Sequence, residues 1–162
     1  MAIIREIKRE DNEEIKKVIR IVLEEFGVNR PGTAYYDDSL NHMFESYMGE
    51  KKIYYLGIID GKICGGAGIY PTEGLPNNTC ELIKMYLLPE ARGKGLGKLL
   101  VNKCMEFAAT IGYKKVYLET MPELQNAVHM YEKMGFTLLD GPLGNTGHFA
   151  CTIRMLKDIN PM

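Results

Sequence analysis

Residues 89–98 read P-E-A-R-G-K-G-L-G-K, with an apolar strand-like run before them and an amphipathic helical pattern after them. A helix N-terminus leaves its first amide N–H groups unpaired and carries positive dipole, so it suits an anion. Glycines at 93, 95 and 97 let a ligand approach the main chain closely, and Arg92, Lys94 and Lys98 add positive charge. The pattern reads as a pyrophosphate cradle. Two common cradles do not match it. A G-x-x-x-x-G-K-[ST] phosphate loop ending on Gly97-Lys98 would put Arg92 at its first glycine and Leu99 at its hydroxyl residue. The dinucleotide frame G-x-G-x-x-G fails from Gly93 at Lys98, and from Gly95 at Leu100. A helix start carrying solvated glycines is the competing reading of the triplet taken alone.

Working outward, C-E-L-I-K-M-Y-L-L (80–88) is a strand stopped by Pro89. The stripe Leu96, Leu99, Leu100, Cys104, Phe107, Ala108 and Ile111 predicts a helix over 96–111, closed by Gly112. Strand K-V-Y-L-E-T (115–120) follows, then a helix over 123–134 ending at Gly135. Two last strands, near 136–140 and 148–156, flank the loop G-P-L-G-N-T-G (141–147). On the N-terminal side, residues 2–8 alternate as a first strand, and Asp11 with Glu14 resembles a capping box. Ile15, Val18, Ile19, Val22, Leu23 and Phe26 recur at helical spacing up to Gly27. A turn-rich loop (29–38) leads to a shorter helix over 39–48, with Leu40, Met43, Phe44 and Tyr47 on one face. Strands 53–59 and 62–70 flank Asp60-Gly61, a strong hairpin signal. The order β-α-α-β-β-β-α-β-α-β-β predicts one α/β domain over 1–162, a mixed sheet with helices on both faces. The unit 80–120 should be a parallel, right-handed crossover.

The 162 residues carry 20 Lys plus Arg against 21 Asp plus Glu, a net charge of -1, which argues against a dedicated nucleic-acid binder. The N-terminus lacks the apolar core of a signal peptide, and no window reaches the ~18 apolar residues of a membrane span. Cys64, Cys80, Cys104 and Cys151 lie far apart without a C-x-x-C pair, and His42, His129 and His148 are scattered. These features predict buried thiols, no metal site, no membrane partner and a reducing, cytoplasmic setting.

Arg92-x-x-Gly95-x-Gly97 after the strand ending at Pro89 resembles the acyl-coenzyme A signature of the GNAT superfamily of N-acetyltransferases. The segment A-V-H-M-Y-E-K-M-G-F (127–136) is similar to that superfamily's A-x-x-L-Y-E-K-L-G-F. The element order matches along nearly the whole chain.

The resemblance implies acetyl-coenzyme A as co-substrate, its pantetheine arm on the main chain of Met85, Tyr86 and Leu87. It implies a diphosphate on the amides of Gly93, Lys94, Gly95, Leu96, Gly97 and Lys98, with Arg92 in the same motif. Tyr131 matches the tyrosine that in many relatives protonates the leaving thiolate. A phenol of ordinary pKa near ~10 suits that role. Many relatives also carry an asparagine seven residues earlier, where this chain has Leu124; Asn126 is nearby but out of frame.

Glu81, eleven residues before Arg92, matches the glutamate base of some members. Strand alternation places it with Ile83, Met85 and Leu87, a mostly apolar set that would raise its pKa. A solvated strand-end carboxylate is the competing reading. Glu119 is a second candidate base, and water a third. The implied reaction is direct attack of an amine in a ternary complex, preferred over a ping-pong route through cysteine. A coenzyme A-binding regulatory module without turnover, or transfer of a longer acyl group, are the alternatives. The acceptor would be a small-molecule amine or a protein amine, and a homodimer is common among similar proteins. The acceptor side is expected from Arg30 to Tyr47. There Arg30 would grip a carboxylate, or Asp37 and Asp38 a cationic amine, with Tyr35, Tyr36 and Tyr70 as walls and loop 141–147 as cover.

Overall fold

In the computed structural model, which describes residues 2–159, the expected order of elements is present. Strand β1 (Ala2–Glu6) precedes helix α1 (Asn12–Glu25) and the short helix α2 (Met43–Ser46). Strands β2 (Ile53–Ile59), β3 (Lys62–Tyr70) and β4 (Thr79–Leu87) follow, then α3 (Leu96–Thr110), β5 (Lys115–Thr120) and α4 (Gln125–Lys133). Strands β6 (Thr137–Leu138) and β7 (Ile153–Asp158) complete the chain. All seven strands form one sheet, ordered β1-β2-β3-β4-β5-β7-β6. Only β4 and β5 pair in parallel, as a crossover through α3 requires. The β2–β3 hairpin turns at Asp60 and Gly61, whose φ values of 50° and 81° are those of a tight type I′ turn.

Helices cover both faces. On one, Leu96, Leu100 and Cys104 of α3 and Tyr131 of α4 pack on Tyr55, Leu82, Val116 and Leu118. On the other, Ile15, Ile19 and Leu23 of α1 pack on Tyr54, Leu56 and Ile58. Each such aliphatic side chain contributes about 1.5–3 kcal/mol on full burial, so the helical spacing read from the sequence is what anchors α1. No helix among the described residues is long and apolar enough to cross a membrane.

Four local expectations change. The Asp11 side chain makes no bond to the α1 start; it accepts from the Lys8 amide at 2.7 Å and from Arg5 at 2.8 and 3.0 Å. The helix expected over 39–48 is broken at His42 (φ −153°, ψ 59°) into a 3-10 turn and α2, yet Leu40, Met43 and Tyr47 stay buried as expected. Pro122 opens α4 with a 3-10 turn, so its α-helical part starts at Gln125. The last strand starts at Ile153, since residues before it in the preceding loop bond to other loops. Asn145 N donates to Glu73 O at 2.8 Å and Ala150 N to Gly32 O at 3.1 Å.

Two irregularities of β4 shape everything that follows. The parallel pairing with β5 ends at Glu81 opposite Tyr117, so the two strands part beyond that point. The pairing with β3 shifts register between Gly66, opposite Tyr86, and Gly68, opposite Ile83. That shift is a β-bulge at Lys84, whose φ is 54°. The bulge corrects the expected alternation: Glu81 and Ile83 share one cavity, whereas Met85 and Leu87 pack with α3 and α4 on the opposite face.

Candidate active site

The glycine loop borders a cleft of about 620 Å³ between the ends of α1, β4, α3 and α4. Met85, Tyr86 and Leu87 line it from β4, and Arg92, Gly93, Gly95, Leu96, Gly97 and Lys98 from the loop. Gly95 caps α3 with φ 80°, a left-handed geometry costing an L-residue about 1–2 kcal/mol. The amides of residues 93–98 find no well-aligned hydrogen-bond partner among the described residues. They are therefore free to receive an anion at a helix N-terminus. Lys94 is exposed at the loop tip. Asn126 lines the cleft from α4 alongside Leu124.

Arg92 is committed within the fold. Its Nε and Nη2 donate to the Leu87 carbonyl at 3.1 and 2.9 Å. Its two Nη atoms also bond both Glu25 oxygens at 2.8 Å, and the guanidinium stacks over Phe26. Its contribution to the cleft is thus to hold the end of β4 against α1.

Where β4 and β5 part there is a narrow gap of about 30 Å³, lined by Glu81, Lys84, Glu119, Tyr131 and His148 among others. It shares Met85, Tyr86, Leu124 and Ala127 with the first cleft. On its other side it shares Glu81, Ile83, Lys84 and His148 with a second cavity of about 700 Å³. That cavity is walled by Tyr47, Tyr70, Thr72, Glu73 and the loop residues Asn145 and Thr146. Tyr131 and Glu81 therefore border one opening between two larger spaces.

Tyr131 is 5% exposed and packs edge-on against Phe136 at 5.7 Å. Burial pushes its phenol well up, so it keeps its proton at neutral pH. Glu81 is 2% exposed, and burial pushes its carboxyl up to about 7. The Thr72 hydroxyl, which donates to Glu81 Oε1 at 2.5 Å, and the nearby Lys84 act the other way. Glu119 is less available, since Tyr117 and Thr146 donate to its two oxygens, each at 2.5 Å.

Several expectations on the acceptor side are redirected. Arg30 pairs with Glu123 at 3.2 Å and bonds the Gly27 carbonyl. Asp37 bonds Lys84 Nζ at 3.0 Å and His148 Nε2 at 2.8 and 2.9 Å. Tyr35 donates to Glu24, Tyr36 is exposed, and Tyr70 is the tyrosine of the three that walls the cavity. Loop 141–147 does reach it. Lys84, Thr72 and His148 were not singled out in the sequence; nothing local marks them, because their partners are brought in by the fold.

Glu81, Glu119 and a ring nitrogen of His148 lie within 4.8 Å of one another, but each already has a protein hydrogen-bond partner. The cluster is a close grouping of two carboxylates and an imidazole, each held by its own partner: Thr72 on Glu81, Tyr117 and Thr146 on Glu119, and Asp37 on His148. All four cysteines are buried, and burial raises the Cys80 and Cys151 thiols to about 12 and Cys104 further. None of those three is a thiolate nucleophile as it stands.

Residues 15–136 match the model of the acetyltransferase (GNAT) family. The uncharacterized N-acetyltransferase YjgM of Escherichia coli (strain K12) is 39% identical over 158 residues, covering 97% of this chain and 95% of that protein. Among solved structures, a GNAT-family acetyltransferase of Staphylococcus aureus Mu50 superposes with TM-score 0.88 at 21% identity, covering 99% of this chain and 100% of that one. The PaiA N-acetyltransferase of Thermoplasma acidophilum, solved in complex with coenzyme A, superposes with TM-score 0.74 at 19% identity, covering 98% and 99%. The chain belongs to the acetyltransferase (GNAT) family.

Proposed function

We propose that this chain moves the acetyl group of acetyl-coenzyme A onto a primary amine by direct attack in a ternary complex. The supporting observation is that the β4–β5 gap shares lining residues with the glycine-loop cleft on one side and with the second cavity on the other. The coenzyme would lie in the first space, its diphosphate on the amides of residues 93–98 and its pantetheine arm along the open edge of β4. Coenzyme A in the PaiA structure supports that choice of ligand. The acceptor would enter from the second space.

The proposed chemical roles are these. An arriving ammonium must lose a proton before nitrogen can attack, and Glu81, poised near 7, takes it. A main-chain N–H on β4 near Leu87 polarises the thioester carbonyl and stabilises the oxyanion. Collapse breaks the C–S bond, and Tyr131, protonated throughout, returns a proton to sulfur. Arg92 positions the strand end that carries these groups.

A panel of amines with acetyl-coenzyme A, read as free thiol release, tests this reading. Amine-dependent release supports it. Acetyl-coenzyme A binding without turnover on any amine would replace it by a binding module.

A further inference from the structure

We propose that His148 is the proton relay behind Glu81, with Asp37 as the residue that positions it; this rests on the amine-transfer reading above. The Nε2 atom of His148 lies 2.9 and 2.8 Å from the two Asp37 carboxylate oxygens. Burial alone would raise the Asp37 carboxyl, but the His148 hydrogen bond and the Lys84 charge outweigh it and hold it below the usual carboxylate range. An ionised carboxylate only accepts hydrogen bonds, so Nε2 carries the hydrogen. In the neutral ring the lone pair is then on Nδ1.

Among the charged groups around the ring, Glu81 is the one with the capacity to exchange a proton with it. Asp37 faces the ring from the loop after α1, Glu81 and Lys84 from β4, and Glu119 from β5; Cys151 follows it on its own loop. A ring nitrogen is within 4.8 Å of carboxylate oxygens of both Glu81 and Glu119. Both Glu119 oxygens are occupied by Tyr117 and Thr146, whereas Glu81 gives only Oε1 to Thr72. The ring also borders both the gap and the second cavity, which opens to solvent. The proposed path takes the proton from the acceptor nitrogen to Glu81, from Glu81 to Nδ1, the ring nitrogen that Asp37 leaves free, and from that same Nδ1–H to water, so that the ring returns to its Nε2–H form. Only N–H and O–H bonds change, and Glu81 returns ionised for the next turnover. Asp37 stabilises the imidazolium formed on the way. The Lys84 charge and the bond from the His148 amide to Thr146 Oγ1 at 3.0 Å keep carboxylate and ring in register.

The test has two arms on the full chain. Histidine-selective NMR without acceptor should show neutral His148, assigned by its loss in His148→Gln, as the Nε2–H tautomer. That preference should vanish in Asp37→Asn, and Glu81→Gln should move the Nδ1 chemical shift. With a turned-over amine, His148→Gln should lower kcat about 100-fold while leaving KM for acetyl-coenzyme A unchanged. Added imidazole should restore part of the rate to His148→Ala, which a purely structural role would not allow. An Nδ1–H tautomer, or a wild-type kcat and pH profile in His148→Gln, would overturn the proposal. Inactivity of the native chain on every amine would sink the transfer reading instead, leaving the tautomer measurement to decide this one.

Discussion

The Tyr54 hydroxyl donates to the Lys84 carbonyl over 2.7 Å, across a fully buried contact between β2 and the bulge of β4. A left-handed lysine in mid-strand is unfavourable, and this bond, with the Lys84–Asp37 pair, holds it in place. Tyr54→Phe leaves the carbonyl without its partner. It should cost about 1–3 kcal/mol in urea unfolding and weaken acetyl-coenzyme A binding through the displaced strand. Unchanged stability would mean that the bulge holds without Tyr54.

Glu81 links pH to both stability and rate. Its carboxyl rises from 4.5 to about 7 on folding, so between those values the folded chain keeps a proton the unfolded chain has released. Stability should therefore fall as pH rises through that window, and Glu81→Gln should flatten the decline. The opposite sign holds for activity. Amine transfer should rise with pH around 7 as the carboxylate forms, and Glu81→Gln should lose that inflection and most of kcat.

Arg92 and Glu25 make a paired prediction. The ion pair is about one-third exposed on each side, so Glu25→Gln should cost less than about 1 kcal/mol. Arg92→Ala also strips the Leu87 carbonyl of two charged donors and should cost about 2 kcal/mol or more. It should raise KM for acetyl-coenzyme A more than it lowers kcat. Equal losses in the two variants would contradict the positioning role.

At Gly95 a Cβ would meet no protein atom within 4 Å, so only the backbone geometry opposes a side chain. Gly95→Ala should destabilise by about 1–2 kcal/mol, and Gly95→Glu should abolish acetyl-coenzyme A binding in a folded protein. Retained binding in calorimetry would refute the cradle.

These residues divide by how far apart their determinants lie. The α1 stripe, the Asp60-Gly61 hairpin and the glycine loop depend on neighbours in the chain, and their patterns are legible in the sequence. The place of Tyr131 at the gap goes with a motif that surrounds it in the chain. The bulge at Lys84 was not legible, since nothing in I-K-M-Y disfavours plain alternation. His148 and Asp37 are 111 residues apart, and no local pattern predicts that pairing. Likewise Arg92 read as a free cation, because Glu25 and the Leu87 carbonyl meet it only after α1 folds onto β4.

The central claim is that chemistry occurs in the β4–β5 gap, with Tyr131 returning a proton to sulfur. Thiol release by Tyr131→Phe, set beside acetyl-coenzyme A affinity on the same preparation, tests it most directly. The gap mechanism predicts a kcat about 100-fold lower with affinity unchanged. Equal turnover by the variant and the native chain would contradict it.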